Sequence, residues 1–343
     1  MKAIKLFGLS VVLCLVLSAC GAEEREVPTW SETDAKTIVI TCAGDCTLGT
    51  DADFGGITLP AELHNQGGDM GYFFRNVSPF FAADDLTVVN LEGTLTDRGV
   101  REDKTYAFRG DPSYVGILTE GSVEAVTLAN NHSRDYGEVS MTDTQRYLNE
   151  AGIHWVEGLH TKVIDVSGVK VGLIGLNGLS GAAGAQLPKA MEQVKQQEAQ
   201  ITVLQVHWGI ESEYKPTQMQ RDLAHQAIDL GADLVIGHHP HVLQGLEEYK
   251  GRMIVYSLGN FCFGGNQNPK DKDTMLHRQT FSVKEGKVAD WTDYQVIPCL
   301  ITSTPERNNY QPTPATGEAR ARIADKIQKI SMTKVKFLGE IVP

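Results

Sequence analysis

A series of short apolar runs, each ending in polar residues, constrains the fold of this chain more than any other feature. The runs occupy residues 37–41, 86–91, 125–128, 201–206, 233–236 and 253–257. Apolar runs of this length without alternation are typical of strands that are buried on both faces. Amphipathic spacing between and after them predicts helices at 111–120, 140–151, 218–230 and 318–330. The alternation of strands and helices predicts a layered α/β domain.

The polar residues at the ends of the apolar runs are candidates for a single site. They are Asp45, Glu92, Asn131, His132, His207, His239 and His241. In open α/β sheets, ligands bind outside the carboxyl ends of the strands. We therefore expect side chains that lie far apart in the sequence to meet in one pocket.

The turn His239-Pro240-His241 is the sharpest local signal for metal binding. Imidazole nitrogens bind Zn, Mn and Fe, and carboxylates supply the oxygen ligands that Mn and Fe accept. Asp45 and Glu92 are weaker signals individually, because a carboxylate after a strand often only caps the next helix. A turn with one capping histidine is likewise the alternative for residues 239–241.

Together these residues predict a centre for two divalent ions. Asp45 would bind one ion, Asn131 and His207 the other, Glu92 would bridge them, and His239 and His241 would bind one ion each. Two ions at such a spacing bind both the attacking and the departing oxygen of a substrate. The metal would be Mn, Fe or Zn.

Four further assignments concern the reaction and the substrate. His132 is the candidate general acid, and Asp135 would orient its ring by accepting the second N–H. Arg109 would clamp an anion, although a structural ion pair explains an arginine equally well. Asn260 would face the same pocket or would only satisfy a turn.

The charge balance excludes a general nucleic-acid-binding role. Lys and Arg number 31 against 43 Asp and Glu, which gives a net charge of −12. Nucleic-acid binding requires a positive surface. An anionic substrate would therefore need a local positive site, which metal ions supply most simply.

The N-terminus predicts export and a lipid anchor. Residues 1–19 carry two lysines and a short apolar run, and Cys20 follows small residues as in a bacterial lipobox. Cys20 would then be lipidated and would anchor the chain to the extracytoplasmic face of the cell membrane. The alternative is ordinary signal cleavage near Ala19 or Ala22.

The predicted domain boundaries follow from these segments. After the signal peptide of residues 1–19, residues 20–36 form a tether and 37–301 the main domain. Residues 302–343 contain a linker, the last helix and a stretch compatible with an edge strand.

Four cysteines remain in the predicted mature domain: Cys42, Cys46, Cys262 and Cys299. Export makes disulfides possible, and four cysteines allow three pairings that the sequence does not distinguish. Buried free thiols are the alternative.

Motifs spread over residues 38–263 resemble the bacterial capsule synthesis proteins of CapA type. The motifs are Gly44-Asp45-x-x-Leu48-Gly49, Asn90-Leu91-Glu92, Ala129-Asn130-Asn131-His132-x-x-Asp135-x-Gly137, His207-Trp208-Gly209-x-Glu211, Gly237-His238-His239-Pro240-His241-Val242-Leu243-Gln244 and Tyr256-Ser257-Leu258-Gly259-Asn260-Phe261.

The resemblance implies a four-layer αββα sandwich of the metallophosphoesterase type. It also implies a role in poly-γ-glutamate capsule synthesis, export or anchoring, with membrane proteins of a capsule synthase or exporter as partners. The substrate would be poly-γ-glutamate or another anion. Two positions differ from the phosphoesterase pattern: Thr47 stands where a histidine is usual, and Glu92 stands where an aspartate is usual.

Three functions remain open at this point. The chain is a metal-dependent hydrolase or transferase of capsule material, a non-catalytic subunit of a capsule synthase or exporter, or a secreted phosphoesterase or nucleotidase. Metal content, capsule production by a His132 variant and turnover of generic phosphoesters distinguish the three.

Overall fold

The computed structural model describes residues 35–289 and 293–339. The predicted signal peptide, Cys20 and all but the last two residues of the predicted tether lie outside these residues. Within the described residues, no helix is both long and apolar enough to cross a membrane.

The described residues contain strands and helices in alternation. The strands are β1 (Lys36–Thr47), β2 (Thr50–Asp51), β3 (Leu86–Leu91), β4 (Thr94–Leu95), β5 (Phe108–Gly110), β6 (Ala125–Thr127), β7 (His154–Val156), β8 (Lys162–Val166), β9 (Val169–Asn177), β10 (Ile201–His207), β11 (Leu234–His238), β12 (Leu243–Tyr249), β13 (Arg252–Leu258), β14 (Asn260–Phe263), β15 (Asp273–Lys284), β16 (Lys287–Val288), β17 (Asp293–Leu300) and β18 (Thr313–Pro314). The α-helices are α1 (Leu59–Asn65), α2 (Ser78–Phe81), α3 (Val115–Glu120), α4 (Glu138–Glu150), α5 (Ala183–Gln196), α6 (Gln218–Asp229) and α7 (Gly317–Ile330).

Two large sheets form the centre of the molecule. One has the order β18-β17-β15-β1-β3-β6-β7, and the other has the order β12-β13-β11-β10-β9-β8. Strands β1, β3, β6 and β7 run parallel, as do β9, β10, β11 and β13. The carboxyl ends of these parallel strands carry the polar residues that the sequence places there.

Three separate apolar cores define four layers. The first lies between the sheets and includes Ile40 of β1 and Val203 of β10. The second joins the first sheet to α1–α4, and the third joins the second sheet to α5 and α6. The fold is therefore the expected αββα sandwich.

The local predictions are largely confirmed where the pattern is strong. All six predicted strands are present, and the helices predicted at 140–151, 218–230 and 318–330 are α4, α6 and α7. Helix α6 begins with a capping box in which Thr217 and Gln220 satisfy each other's backbone N–H groups. The helix predicted at 111–120 is a short 3-10 turn at Pro112–Tyr114 followed by α3.

The structure differs from the linker prediction over residues 302–317. The Tyr310 side chain is fully buried, and its hydroxyl donates to the Ile57 carbonyl at 2.7 Å. Gln311 Nε2 donates to the Tyr72 carbonyl at 2.6 Å, and β18 pairs with β17. The proline and threonine content therefore reflects a packed, irregular segment.

Two smaller points concern the C-terminus and the cysteines. In the predicted edge strand, Phe337 forms a single bridge with Val296, and residues 340–343 lie outside the described residues. The four cysteines Cys42, Cys46, Cys262 and Cys299 are buried free thiols. Burial raises the pKa of Cys42 to about 12, so this thiol is unreactive.

Candidate metal centre

Asp45 lies fully buried at the end of β1, where β1 meets β3. Its Oδ1 accepts a hydrogen bond of 2.8 Å from Asn90 Nδ2, the residue opposite it in the register. Its backbone N–H donates to the Gly259 carbonyl at 2.9 Å. Both contacts hold the Asp45 carboxylate at the rim that faces the second sheet.

Glu92 follows β3 and is fully buried. Its backbone is fixed from two sides: its N–H donates to the Cys46 carbonyl, and its carbonyl accepts from Thr47 Oγ1 at 2.8 Å. Thr47, which replaces the usual histidine, thus holds Glu92 in place. Among the described residues, neither carboxylate oxygen of Glu92 has a hydrogen-bond partner.

His207 ends β10 and connects the second sheet to the first. Its Nε2 lies 2.7 Å from Asn131 Oδ1 and 3.5 Å from Glu92 Oε1. Its Nδ1 lies 3.3 Å from Asn90 Nδ2. The predicted ligands Asn131 and His207 therefore lie side by side.

The turn after β11 brings two imidazoles to the same rim. His239 and His241 have φ angles of 96° and 57°, a left-handed backbone that non-glycine residues rarely adopt. Such strain clusters at functional sites, because the surrounding structure must enforce it. His241 Nδ1 lies 3.2 Å from Asp45 Oδ2 and 2.9 Å from Asn260 Oδ1, and its Nε2 lies 3.7 Å from Glu92 Oε1.

These side chains form two overlapping groups of possible ligands. Glu92, His239 and His241 bring ligand atoms within 4.8 Å of one another, as do Asp45, Glu92 and His207. Glu92 belongs to both groups, which is the placement expected of a bridging carboxylate. All six predicted ligands thus meet at one rim of the sandwich.

The pKa values of the predicted ligands are shifted in different directions. Burial lowers the pKa of His207 and lowers that of His239 to about 4, so both rings are neutral and able to bind metal. Burial alone would raise the pKa of Asp45, but the imidazoles of His238 and His241 hold it well below its ordinary value. Burial raises the pKa of Glu92 to about 8. Burial lowers the pKa of His241, but the Glu92 and Asp45 carboxylates outweigh this and raise it to about 10. Both groups therefore hold a proton near neutral pH, which a divalent cation would have to displace.

The unpartnered atoms show that the residues fit a metal ion. Both Glu92 oxygens and His239 Nδ1 are buried without hydrogen-bond partners among the described residues. An isolated buried carboxylate is costly unless it is paired or coordinates a metal. A divalent cation held by carboxylates, imidazoles and the Asn131 amide would remove this cost.

His132 lies beside the ligands and is held by Asp135. The His132 Nδ1 is 2.7 Å from Asp135 Oδ2, and its Nε2 is 4.0 Å from Glu92 Oε1. Burial lowers the pKa of His132, although the Asp135 carboxylate partly opposes this. The Phe108 ring lies 4.4 Å from the imidazole, centre to centre, and limits its rotation.

Arg109 and Asn260, the two predicted substrate contacts, are placed differently. Asn260 lines a cleft of about 1150 Å³ together with His132 and His241. Arg109 is not among the residues lining this cleft, and its guanidinium stacks on the Tyr136 ring at 4.3 Å. The structure therefore does not bring Arg109 together with the other predicted site residues.

Sequence reasoning missed three supporting residues. Asn90 links Asp45 to His207, and His238 Nδ1 lies 3.2 Å from Asp45 Oδ1. Lys104 donates to Asp135 Oδ1 at 2.7 Å and to the Asn131 carbonyl at 2.9 Å. Asn90 and His238 stood within the quoted motifs, whereas no local signal marks Lys104.

The four-layer αββα sandwich places the chain in the class of proteins with a metallophosphoesterase-type fold. The chain belongs to the family of bacterial capsule synthesis proteins described as PGA_cap, whose sequence profile matches residues 39–265.

The chain is similar to two capsule proteins of Bacillus species. It is 30% identical over 285 residues to the capsule biosynthesis protein CapA of Bacillus anthracis, covering 74% of this chain and 67% of that protein. It is 30% identical over 279 residues to the PGA biosynthesis protein CapA of Bacillus subtilis (strain 168), covering 75% and 71%. The crystal structure of a hypothetical protein from Thermus thermophilus superimposes with a TM-score of 0.44 at 16% identity, covering 76% of this chain and 99% of that one.

Proposed function

We propose that this chain acts in the biosynthesis of poly-γ-glutamate capsule material, as a metal-dependent hydrolase or transferase for an anionic substrate. The capsule context comes from family membership and from the names of the two Bacillus relatives. The observation that carries the chemistry is Glu92, whose buried carboxylate accepts no hydrogen bond among the described residues and is shared by two groups of possible ligands.

Six residues would hold the metal. They are Asp45, Glu92, Asn131, His207, His239 and His241, and they combine oxygen and imidazole ligands suited to Mn, Fe or Zn. A bound divalent ion would polarise a substrate oxygen and supply an activated water near neutral pH. Two ions are the expected number, because Glu92 reaches both ligand groups.

His132 would donate a proton to the departing group. Its Nδ1 is engaged by Asp135, which leaves the Nε2 on the side of the ligands. The ring is only 7% exposed but lines the cleft. Because its Nδ1 proton faces Asp135 and burial lowers the pKa of the ring, donation from Nε2 requires the doubly protonated imidazolium, which the Asp135 carboxylate would stabilise. Asp135 and Lys104 orient this ring and its loop.

Elemental analysis combined with a turnover screen tests the proposal. We expect purified protein to contain Mn, Fe or Zn and to turn over a phosphodiester as an assay substrate. Efficient hydrolysis of nucleotides by a protein whose loss leaves capsule unchanged would instead favour the secreted phosphoesterase or nucleotidase. His132→Ala should keep the metal and lose roughly 100-fold or more in turnover. A native protein free of metal would contradict the proposed centre.

Capsule production separates the enzyme from a non-catalytic subunit. If the chain acts as an enzyme, we expect cells that carry His132→Ala to make abnormal capsule. Normal capsule in these cells, combined with loss of capsule when the chain is deleted, would favour a structural role in a synthase or exporter.

The lipid anchor is a separate part of the proposal. Cys20 would carry the lipid and hold the domain on the extracytoplasmic face of the membrane, beside the membrane proteins of capsule synthesis or export. Cys20→Ala should move the protein out of the membrane fraction, whereas Cys14→Ala within the apolar run should not. Equal fractionation of the two variants would contradict lipidation at Cys20.

A further inference from the structure

The cleft at the candidate metal centre continues to the C-terminal helix α7. This cleft of about 1150 Å³ is lined by His132 and His241 of the candidate metal centre and also by Lys270, Arg322 and Lys326. A second cavity of about 520 Å³ also uses Lys270 and Arg322 and adds Lys272. The two cavities therefore meet at a basic ridge formed by Lys270, Lys272, Arg322 and Lys326.

Two cations of the basic ridge are fixed by carboxylates that lie behind them. The Arg322 guanidinium donates to both oxygens of Asp273, at 2.7 and 2.6 Å. The Lys326 ammonium contacts Asp271 at 2.6 Å and Asp273 at 3.0 Å. The Arg322 side chain is 56% exposed whereas Asp273 is 4% exposed, so the ridge presents positive charge outward.

The other two cations are not neutralised. In the part of the chain that the structure describes, the Lys270 and Lys272 ammonium groups form no ion pair or hydrogen bond. Within the ridge, four cations thus face the two carboxylates of Asp271 and Asp273, in a chain whose net charge is −12. Asp53 and Glu211 line other parts of the cleft. Arg322 also keeps unused N–H donors, since two of its donors bind Asp273 and an arginine has five.

The rest of the cleft wall suits a chain that alternates polar and apolar groups. It carries the side-chain amides of Asn266 and Gln267 and the aromatic rings of Phe54, Tyr106 and Phe263. Tyr106 is half exposed, and its ring stacks on Phe108 beside His132. Methylene segments would pack on these rings while carboxylates and amides bind the polar groups.

We propose that the basic ridge is an anion subsite for a polymeric substrate that carries repeated carboxylates. One carboxylate binds the ridge while another part of the same chain occupies the metal centre. The choice of a carboxylate polymer rests on the proposed function, whereas binding at the ridge is measured separately from turnover.

Fluorescence anisotropy with labelled poly-γ-glutamate tests the subsite on the full chain. The double variant Lys270→Gln/Lys272→Gln removes the two unpaired cations and disturbs no ion pair. We expect its Kd to weaken roughly 5- to 10-fold, as for the loss of two modest ionic contacts. The control Lys189→Gln/Lys195→Gln removes the same charge from exposed positions on α5, away from the cleft, and should change the Kd by less than about 2-fold.

Equal weakening in both double variants would overturn the subsite, because bulk charge would then explain the binding. No weakening in either variant would also overturn it, because binding would then not depend on the ridge. Arg322→Gln is the second test, and it should also weaken binding in protein that melts as the wild type does. Polyphosphate of matched length, bound as tightly and with the same dependence on the ridge, would overturn the assignment to carboxylates. If the protein binds poly-γ-glutamate through the ridge but shows no turnover, only the proposed enzymatic activity is contradicted, and the subsite stands.

Discussion

The Nδ1 atom of His132 lies 2.7 Å from Oδ2 of Asp135, three residues further along the loop between β6 and α4. Asp135 also accepts from the Phe108 backbone N–H and from the Lys104 ammonium. A single buried carboxylate therefore fixes the ring of His132 and the strand that packs over it. Such outer contacts orient catalytic imidazoles and set which nitrogen carries the proton.

Asp135→Asn should lower the turnover of a phosphodiester such as bis-p-nitrophenyl phosphate by roughly 10- to 100-fold. The asparagine amide keeps the size of the carboxylate but no longer favours a proton on His132 Nδ1. The His132 ring then loses the contact that fixes its orientation and its protonated nitrogen. Metal content should stay at the wild-type level, because Asp135 is not a ligand. Asp229→Asn, at an exposed position on α6, is the matched control and should leave turnover unchanged. A fall in metal content equal to the fall in turnover would contradict this role.

Divalent metal should raise the melting temperature of the wild-type chain. A ligand at 100 times its Kd stabilises the native state by about 2.7 kcal/mol. His239→Ala removes one ligand and should reduce the metal-induced shift, measured by thermal unfolding with Mn, Fe or Zn and after chelation. His225→Gln is the control, since His225 pairs with Glu247 away from the centre. If none of the three metals changes the melting temperature of the wild-type chain, the proposed metal centre is contradicted.

Gly44 is required by the close approach of β1 to the start of β14. A Cβ atom at this position would lie 2.0 Å from the Gly259 carbonyl oxygen. Gly44→Ala should therefore push apart the backbone that positions Asp45, cost at least ~2 kcal/mol of unfolding free energy and reduce bound metal. Urea unfolding and elemental analysis measure both effects.

Gly184→Ala is the matched control for this substitution. Gly184 lies in α5, and an added methyl group there would meet no atom within 4 Å. Alanine favours helices over glycine by up to ~1 kcal/mol, so this variant should be neutral or slightly more stable. If both substitutions destabilise the fold to a similar extent, the close contact between Gly44 and Gly259 is not the cause of the destabilisation.

The strand ends were predictable because buried parallel strands leave a strong local pattern. Asp45, Glu92 and His207 each follow an unbroken apolar run, and parallel strands bring those ends to one edge. Helix α5 and strand β9 were not predicted. Helix α5 contains Gly184 and Pro188, residues that lower helix propensity, so its local sequence argues against the structure that tertiary packing imposes.

The substrate side of the site was harder to predict, because it depends on loops. Lys104 and Arg109 lie five residues apart in one segment, yet only Lys104 reaches Asp135 while Arg109 stacks on Tyr136. The path of the loop decides whether Lys104 or Arg109 turns towards the site. The sequence of this loop has no periodic pattern from which its path could be predicted. The buried segment around Tyr310 shows the same limit, since its composition resembles a linker.

His277 should make the stability of the fold depend on pH in the acid range. The ring is fully buried in β15, where its Nε2 lies 2.8 Å from Gln279 Oε1 and it stacks on Tyr294. Burial lowers the pKa of His277 to about 4, against about 6.5 in the unfolded chain. The unfolded state therefore binds more protons between these values, and stability falls as the pH drops from about 6.5 towards 4.

His277→Gln should remove part of this pH dependence. The loss of unfolding free energy between pH 7.5 and 4.5 should be smaller in the variant by roughly 2–3 kcal/mol, because glutamine does not titrate. Urea unfolding at the two pH values, with chelator present to keep the metal centre constant, provides the measurement. His225→Gln, which changes a half-exposed histidine, should keep the wild-type dependence. If the unfolding free energy of His277→Gln falls between pH 7.5 and 4.5 by as much as that of the wild type, other buried groups and not His277 cause the loss of stability in acid.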